Sequence, residues 1–398
     1  MRILFLCEGD AESWDSWSGI SKSIVDFIRA AGHDVRVANV DVCGPDRWVA
    51  AASTFAPVRR RWATRYHLGA VPFWLRSRRA SRHIGAHCGQ IDAIVQIGST
   101  FEPSGRGGIP YFVCSDSNIR VAQQGASSGY SDATPLTPAE LEGIGRREAR
   151  VYRGASALFP LSERLRRSFI EDFGIPPDRI KAIYAGPNFD VARVPAPSPR
   201  HGEHPPTVLF VGRQYHRKGG DVLLESFRRL RKWLPEARLL IAGLPPRYVD
   251  ALGVTCLGDL DKGTDAGWQA LLDAYTSANV FALPTRFEPF GIAFVEAMHF
   301  GLPCIGPQAW AVPEIIADGE TGFTVPVDDV ERLTDRLLEL LTQPDMARRM
   351  GEAGRRRAHE LFTWPRVVSR MLDIMAPVVE ARRDARISTP LVSAALPQ

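Results

Sequence analysis

Residues 207–242 read TVLFVGRQYHRKGGDVLLESFRRLRKWLPEARLLIA. Thr207 to Gly212 is a short apolar run closed by glycine, as expected of a buried parallel strand. Gly219 to Trp233 sets Val222, Leu223, Phe227 and Leu230 on one side of a helix, and Ala237 to Ala242 is apolar again. Strand, amphipathic helix and strand in so short a span predict a βαβ unit, which demands a parallel sheet and a right-handed crossover. The same order opens the chain. Arg2 to Cys7 reads as a strand, Ile20, Ile24, Phe27, Ile28 and Ala31 fall at helical spacing until Gly32 stops them, and Asp34 to Val40 is a second strand.

Working outward, further strands are predicted at Asp92 to Ile97, Pro110 to Cys114, Ser156 to Pro160 and Ile180 to Tyr184. In the second half they lie near Val254, Val280 and Cys304, alternating with helices at Asp265 to Ala278 and Gly291 to Phe300. Residues 191–206, VARVPAPSPRHGEHPP, are proline-rich and aperiodic, as a linker is. The expected fold class is therefore α/β, with two Rossmann-like domains, 1–190 and 207–365, facing each other across a cleft. Residues 366–398 form a closing helix, patterned by Val367, Met371, Ile374 and Val378, and a frayed tail. Ligands of such sheets bind where the carboxyl ends of the strands meet the following helix N-termini.

The 398 residues are 45% hydrophobic and 24% charged, which excludes a disordered or fibrous chain and leaves room for two cores. No run is apolar enough for a signal peptide or a membrane span, so a cytoplasmic protein is expected. Six scattered cysteines contain no Cys-x-x-Cys pair, and neither they nor the histidines have zinc spacing, so no metal is expected. A net charge of +4 is too mild to point to nucleic acid. Arginine outnumbers lysine 44 to 5, the bias of a GC-rich genome, so arginine abundance by itself carries no weight.

Two groups carry chemistry. Gly212-Arg213-Gln214-Tyr215-His216-Arg217-Lys218-Gly219-Gly220 joins a strand to a helix, so Arg213, Lys218 and free backbone N–H groups should converge on an anion, best a phosphate or diphosphate. The glycine and Ser/Thr positions are not those of a Walker loop. Thr285-Arg286-Phe287-Glu288-Pro289-Phe290-Gly291 then leads into a helix carrying Glu296 among Phe294, Val295, Ala297 and Met298. An isolated carboxylate there is costly to bury, and the vicinal hydroxyls of a ribose or hexose would satisfy it.

Taken together, these motifs resemble glycosyltransferase family 4, the retaining enzymes of the GT-B fold. The resemblance rests on Glu288 and Glu296 with seven residues between them, preceded by Pro-Thr and running into Pro-Phe-Gly and Glu-Ala-Met, on Val-Gly-Arg and Lys-Gly upstream, and on Ala317-Asp318-Gly319-Glu320-Thr321-Gly322-Phe323. It is dense from about 207 to 365 and thin before that. It implies that Arg213 and Lys218 hold the donor diphosphate and neutralise the leaving nucleotide without a metal. It further implies that Glu288 contacts the transferred sugar, that Phe290 and Gly291 offer backbone N–H groups, that Glu296 binds the ribose, and that Gly19 approaches the phosphate. No cofactor is implied beyond the donor, a nucleotide sugar that family frequency makes UDP-linked. The acceptor is held by the first domain, and a glycan, a lipid-linked molecule and a small molecule are the three classes open to it. The departures are Ser115-Asp116-Ser117, where many members have histidine and where Asp116 becomes a candidate sugar or acceptor contact; Trp310-Ala311-Val312-Pro313 before Glu314; and Gly186-Pro187-Asn188-Phe189-Asp190.

A glycoside hydrolase also needs two carboxylates but leaves Arg213 and Lys218 without a task. A catalytically silent GT-B scaffold would have no need of either pair. Residues 47–91 hold nine Arg, no Asp or Glu, and Trp48, Trp62, Tyr66, Phe73 and Trp74. This segment is either a peripheral contact with anionic membrane or a solvated basic face.

Overall fold

The computed structural model describes residues 1–14, 16–103, 106–195, 205–246 and 248–388. Most of the predicted linker and the predicted frayed tail lie outside them. The first half builds a five-stranded sheet from β1 (Arg2–Cys7), β2 (Asp34–Asn39), β3 (Ala93–Ile97), β4 (Tyr111–Ser115) and β5 (Ala157–Pro160), in the order β2-β1-β3-β4-β5. The second half builds a six-stranded sheet from β6 (Thr207–Val211), β7 (Arg238–Ala242), β8 (Val254–Gly258), β9 (Val280–Ala282), β10 (Cys304–Pro307) and β11 (Gly322–Val325), ordered β11-β10-β9-β6-β7-β8. Every pairing between these strands is parallel. Parallel strands must be covered on both faces, which is why β1, β3, β4 and β5 are almost wholly buried.

Strand order fixes where a ligand can sit. In the first sheet the chain leaves β1 toward β2, then returns to the other side of β1 for β3. In the second it runs β6, β7, β8 and then returns beside β6 with β9. Loops after β1 and β3, and after β6 and β9, therefore diverge and leave a crevice at the carboxyl edge of each sheet.

One predicted strand is absent. Residues 180–184 make a single bridge, Ile180 to Leu158, because only Lys181 N and Ile183 N donate to β5 carbonyls. Pro160 of β5 has no N–H to return a bond, so the ladder stops there, and the carbonyls of Ile180 and Ile183 accept from Arg166 Nε (3.3 Å) and Arg370 Nη1 (3.0 Å). Three helices that the sequence reading left undefined, Pro45–Ser53, Arg59–Leu68 and Ala70–Ala86, occupy the arginine-rich segment. The closing helix, Trp364–Ser388, packs against helix Ile20–Ala30 of the first half. Its Trp364 Nε1 donates to Pro187 O (2.8 Å), and Arg383 pairs with Asp92 (2.7 Å).

Candidate active site

The loops after β6 and β9 touch. Gly219 has φ +73°, and a Cβ there would lie 1.9 Å from Pro284 O, so only glycine permits this approach. Within the first loop, Lys218 N donates to Gln214 O (2.8 Å) and Gly220 N to Tyr215 O (2.8 Å), folding residues 214–220 into a compact turn. Arg286 staples the second loop to helix Gly220–Leu230, which follows the first. Its guanidinium grips Asp221 bidentately (2.8 and 2.9 Å), reaches Asp328 (2.7 Å), and donates to His216 O (2.5 Å).

This places Lys218 Nζ directly on Glu288 Oε2, both side chains nearly buried. Burial pulls the Lys218 ammonium below the ordinary lysine value, Glu288 and Glu296 oppose that, and Arg217 adds to it. The pair lines a cavity of about 450 Å³ between the halves, with Arg217, Phe290, Gly291 and Glu296 on one wall and Trp17, Ser18, Asp116, Tyr130, Asp132 and Asn188 on the other. That volume suits a small ligand.

Arg213 does not join Lys218. The compact turn carries Lys218 back over Gly212, while Arg213 stays on the outer side, where its Nε donates to Asp259 Oδ1 (2.9 Å) between two well-exposed side chains. It lines a second cavity, of about 270 Å³, with Gly212, Gly243 and Leu260. The two cavities adjoin through Ser18, Asn188 and Lys262.

Glu296 is only 2% exposed, yet it is not isolated. It accepts from Lys262 Nζ, from Tyr275 Oη (3.2 Å), and from the backbone N–H of Asn188 in the first half (3.1 Å). The expectation that a ligand must satisfy it is corrected: protein groups already do. Gly19 is buried beside Trp14 and Asn188, and its neighbours Ser18 and Ile20, rather than Gly19, line the cavity. Glu314 reaches the first half, where its two oxygens accept from Glu163 N (2.6 Å) and Arg164 N (2.7 Å) at the start of helix Glu163–Glu171.

Lys262, Tyr275 and Asp132 escaped the sequence reading, and Asn188 entered it only within the departing segment Gly186–Asp190. Lys262 carried a usable signal, because Asp261-Lys262-Gly263-Thr264 lies between a strand and the N-cap of helix Asp265–Ser277, the same context that singled out Lys218. Asn188 Oδ1 is buried with no hydrogen-bond partner among the described residues.

Asp116 does face the cavity. Burial pushes its carboxyl up to about 6, Asp132 and Glu288 add to the shift, and the N–H groups of Asp116 and Ser117 pull the other way. A raised folded-state value favours folding below the ordinary aspartate pKa of 3.8, and that benefit is lost as pH rises through about 6. Asp116→Asn should therefore melt above the wild type at pH 8 and level with it at pH 4. Melting curves at the two pH values check this, and equal midpoints at pH 8 would count against the burial argument.

Two parallel α/β sheets opposed across a ligand-sized cleft define the GT-B class of glycosyltransferase folds. Residues 196–357 match the family described as Glycosyl transferases group 1. A GDP-mannose-dependent alpha-(1-6)-phosphatidylinositol monomannoside mannosyltransferase of Mycolicibacterium smegmatis is 31% identical over 191 residues, 45% of this chain and 50% of that protein. A glycogen synthase of Mycobacterium tuberculosis is 27% identical over 291 residues, 71% of this chain and 67% of that protein. The match thus spans only half the length of the mannosyltransferase. Among solved structures, sucrose-phosphate synthase from Thermosynechococcus elongatus superposes with a TM-score of 0.68 at 19% identity, covering 96% of this chain and all of the other. That likeness speaks to the fold alone.

Proposed function

We propose that this protein is a retaining glycosyltransferase that moves a sugar from a nucleoside-diphosphate sugar to an acceptor hydroxyl, without help from a metal. Residues 207–365 would bind the donor and 1–190 the acceptor. The observation that carries the reading is the Lys218–Glu288 pair in the first of two adjoining cavities, with Asp116 lining the same cavity and Arg213 lining the second. A diphosphate seated between Lys218 and Arg213 would draw Arg213 from its exposed partner Asp259. An exposed pair of this kind is worth little, so the exchange costs little.

In this reading Lys218 and Arg213 stabilise negative charge as the bond from the anomeric carbon to the diphosphate oxygen breaks. Glu288 holds Lys218 in place and contacts the sugar, Phe290 and Gly291 offer N–H groups, and Glu296 fixes the ribose end through the Lys262 and Asn188 network. The acceptor hydroxyl attacks from the face that the diphosphate leaves and gives its proton to the departing phosphate. A separate protein base is then unnecessary, and the anomeric configuration is retained.

The tight pairing also separates this reading from a hydrolase. Glu288 and Glu296 each face a lysine, whereas a hydrolytic pair needs one carboxyl free to donate a proton. UDP is the expected nucleotide on family frequency, and GDP is its competitor because the mannosyltransferase relative is named for GDP-mannose. A thermal-shift screen of UDP, GDP, ADP and TDP decides between them. At a concentration a hundred times Kd the true ligand stabilises by about 2.7 kcal/mol. No shift with any of the four would overturn the proposal.

A further inference from the structure

We infer that the arginine-rich helices of the first half form a docking surface for an anionic lipid bilayer, and that the cleft therefore takes its acceptor from that surface. The second clause rests on the glycosyltransferase reading; the first does not.

Helix Arg59–Leu68 contains no buried residue, so core packing does not account for its place in the fold. It is tied down at its edges: Trp62 Nε1 donates to Ala51 O (3.1 Å), Arg61 and Arg65 pair with Glu140, and Arg60 donates to Gly129 O (2.5 Å) and Ser131 O (3.0 Å). Those last two carbonyls flank Tyr130 and border Asp132, both of which line the cleft cavity. The helix therefore stands at the rim of the cleft.

Its neighbours turn apolar side chains toward water. Of the twelve large hydrophobic residues exposed among those described, seven fall between positions 48 and 74, including Trp48 (78% exposed), Phe55 (63%), Val58 (63%) and Trp74 (58%). Singly such residues mean little; concentrated in 27 consecutive positions they mark an interaction surface. Between them Arg47, Arg59, Arg78 and Arg82 are exposed, and Arg78 lies over the Trp74 ring at 5.5 Å.

A second element extends the same charge. Helix Pro138–Gly154 contributes Arg146, Arg147, Arg150 and Arg153 to a cavity of about 560 Å³. Gly143 and Arg147 are shared with an adjoining hollow lined by Arg65 and by exposed Val71. Tryptophan, phenylalanine and valine at the tips with arginines around them suit a surface that is apolar inside and negatively charged outside. A nucleic acid would use the charge but leave Phe55 and Val58 in water.

The test uses the full chain and sedimentation with vesicles of phosphatidylcholine alone or mixed with phosphatidylglycerol. The protein should pellet with the mixed vesicles, less so in high salt, and stay in solution with the neutral ones. The pairs Trp48→Ser with Phe55→Ser, and Arg78→Ala with Arg82→Ala, should each weaken partitioning about tenfold or more. Trp233→Ser, which removes an equally exposed tryptophan from the second half, should change nothing. Melting curves confirm that each variant is folded. Equal recovery with both vesicles, no recovery with either, or undiminished binding by the folded patch variants would overturn the inference, as would retention on RNA without vesicle binding. Because sedimentation needs no nucleotide, its failure leaves the donor site standing, and failure of the nucleotide screen leaves the docking surface standing.

Discussion

Lys218→Ala is expected to lower turnover of the preferred nucleotide sugar by about 100- to 1,000-fold, equivalent to roughly 2.7–4 kcal/mol of lost transition-state stabilisation. The magnitude follows from burial. A cation in a dry crevice acts on developing charge far more strongly than one in water, and Lys218 is largely withdrawn from solvent by the touching loops. The loss should fall mainly on kcat, because the diphosphate carries its full extra charge only as the bond breaks, while Arg213 and backbone N–H groups continue to hold the bound donor. Arg213→Ala should act less on kcat and more on KM, since its side chain is exposed and reaches the second cavity. Steady-state kinetics on both variants separate the two roles. Unchanged turnover in Lys218→Ala would sink the charge-stabilisation mechanism.

The repeated βαβ order was legible because parallel strands advertise themselves as short continuous apolar runs, and Arg2–Cys7 and Val280–Ala282 are of this kind. Ile180–Tyr184 carries a similar pattern but forms no strand, since Pro160 in the strand beside it has no N–H to donate, and Arg166 and Arg370 take the carbonyls of Ile180 and Ile183. The proline is visible in the sequence, but the arginine contacts are tertiary and leave no local trace. Within the site, Lys218, Glu288 and Asp116 could be placed from strand ends alone. The partnership of Glu296 could not. Its three donors come from residues 188, 262 and 275, and only the crossing of the two halves brings Asn188 N to that carboxylate. Periodicity shows which face of a helix is apolar, but it cannot show what is packed against that face.

Lys262→Met is expected to be the most destabilising single change at the site, costing about 2–3 kcal/mol. The value lies at or below the low end for breaking a buried ion pair, because the Lys262 side chain keeps some solvent contact (24%) while that of Glu296 has almost none (3%). Tyr275 and Asn188 N would remain as donors, and burial together with Glu296 keeps the Tyr275 phenol protonated, but neither neutralises the charge. Replacing the acid as well should recover much of the loss, so Lys262→Met with Glu296→Gln should unfold closer to wild type than Lys262→Met alone. Denaturant unfolding of the two singles and the double gives the coupling energy directly. The same series reports on function. If Glu296 fixes the ribose, the double variant should stay folded but lose most of its stabilisation by the cognate nucleotide, whereas a purely structural pair would leave the nucleotide shift intact.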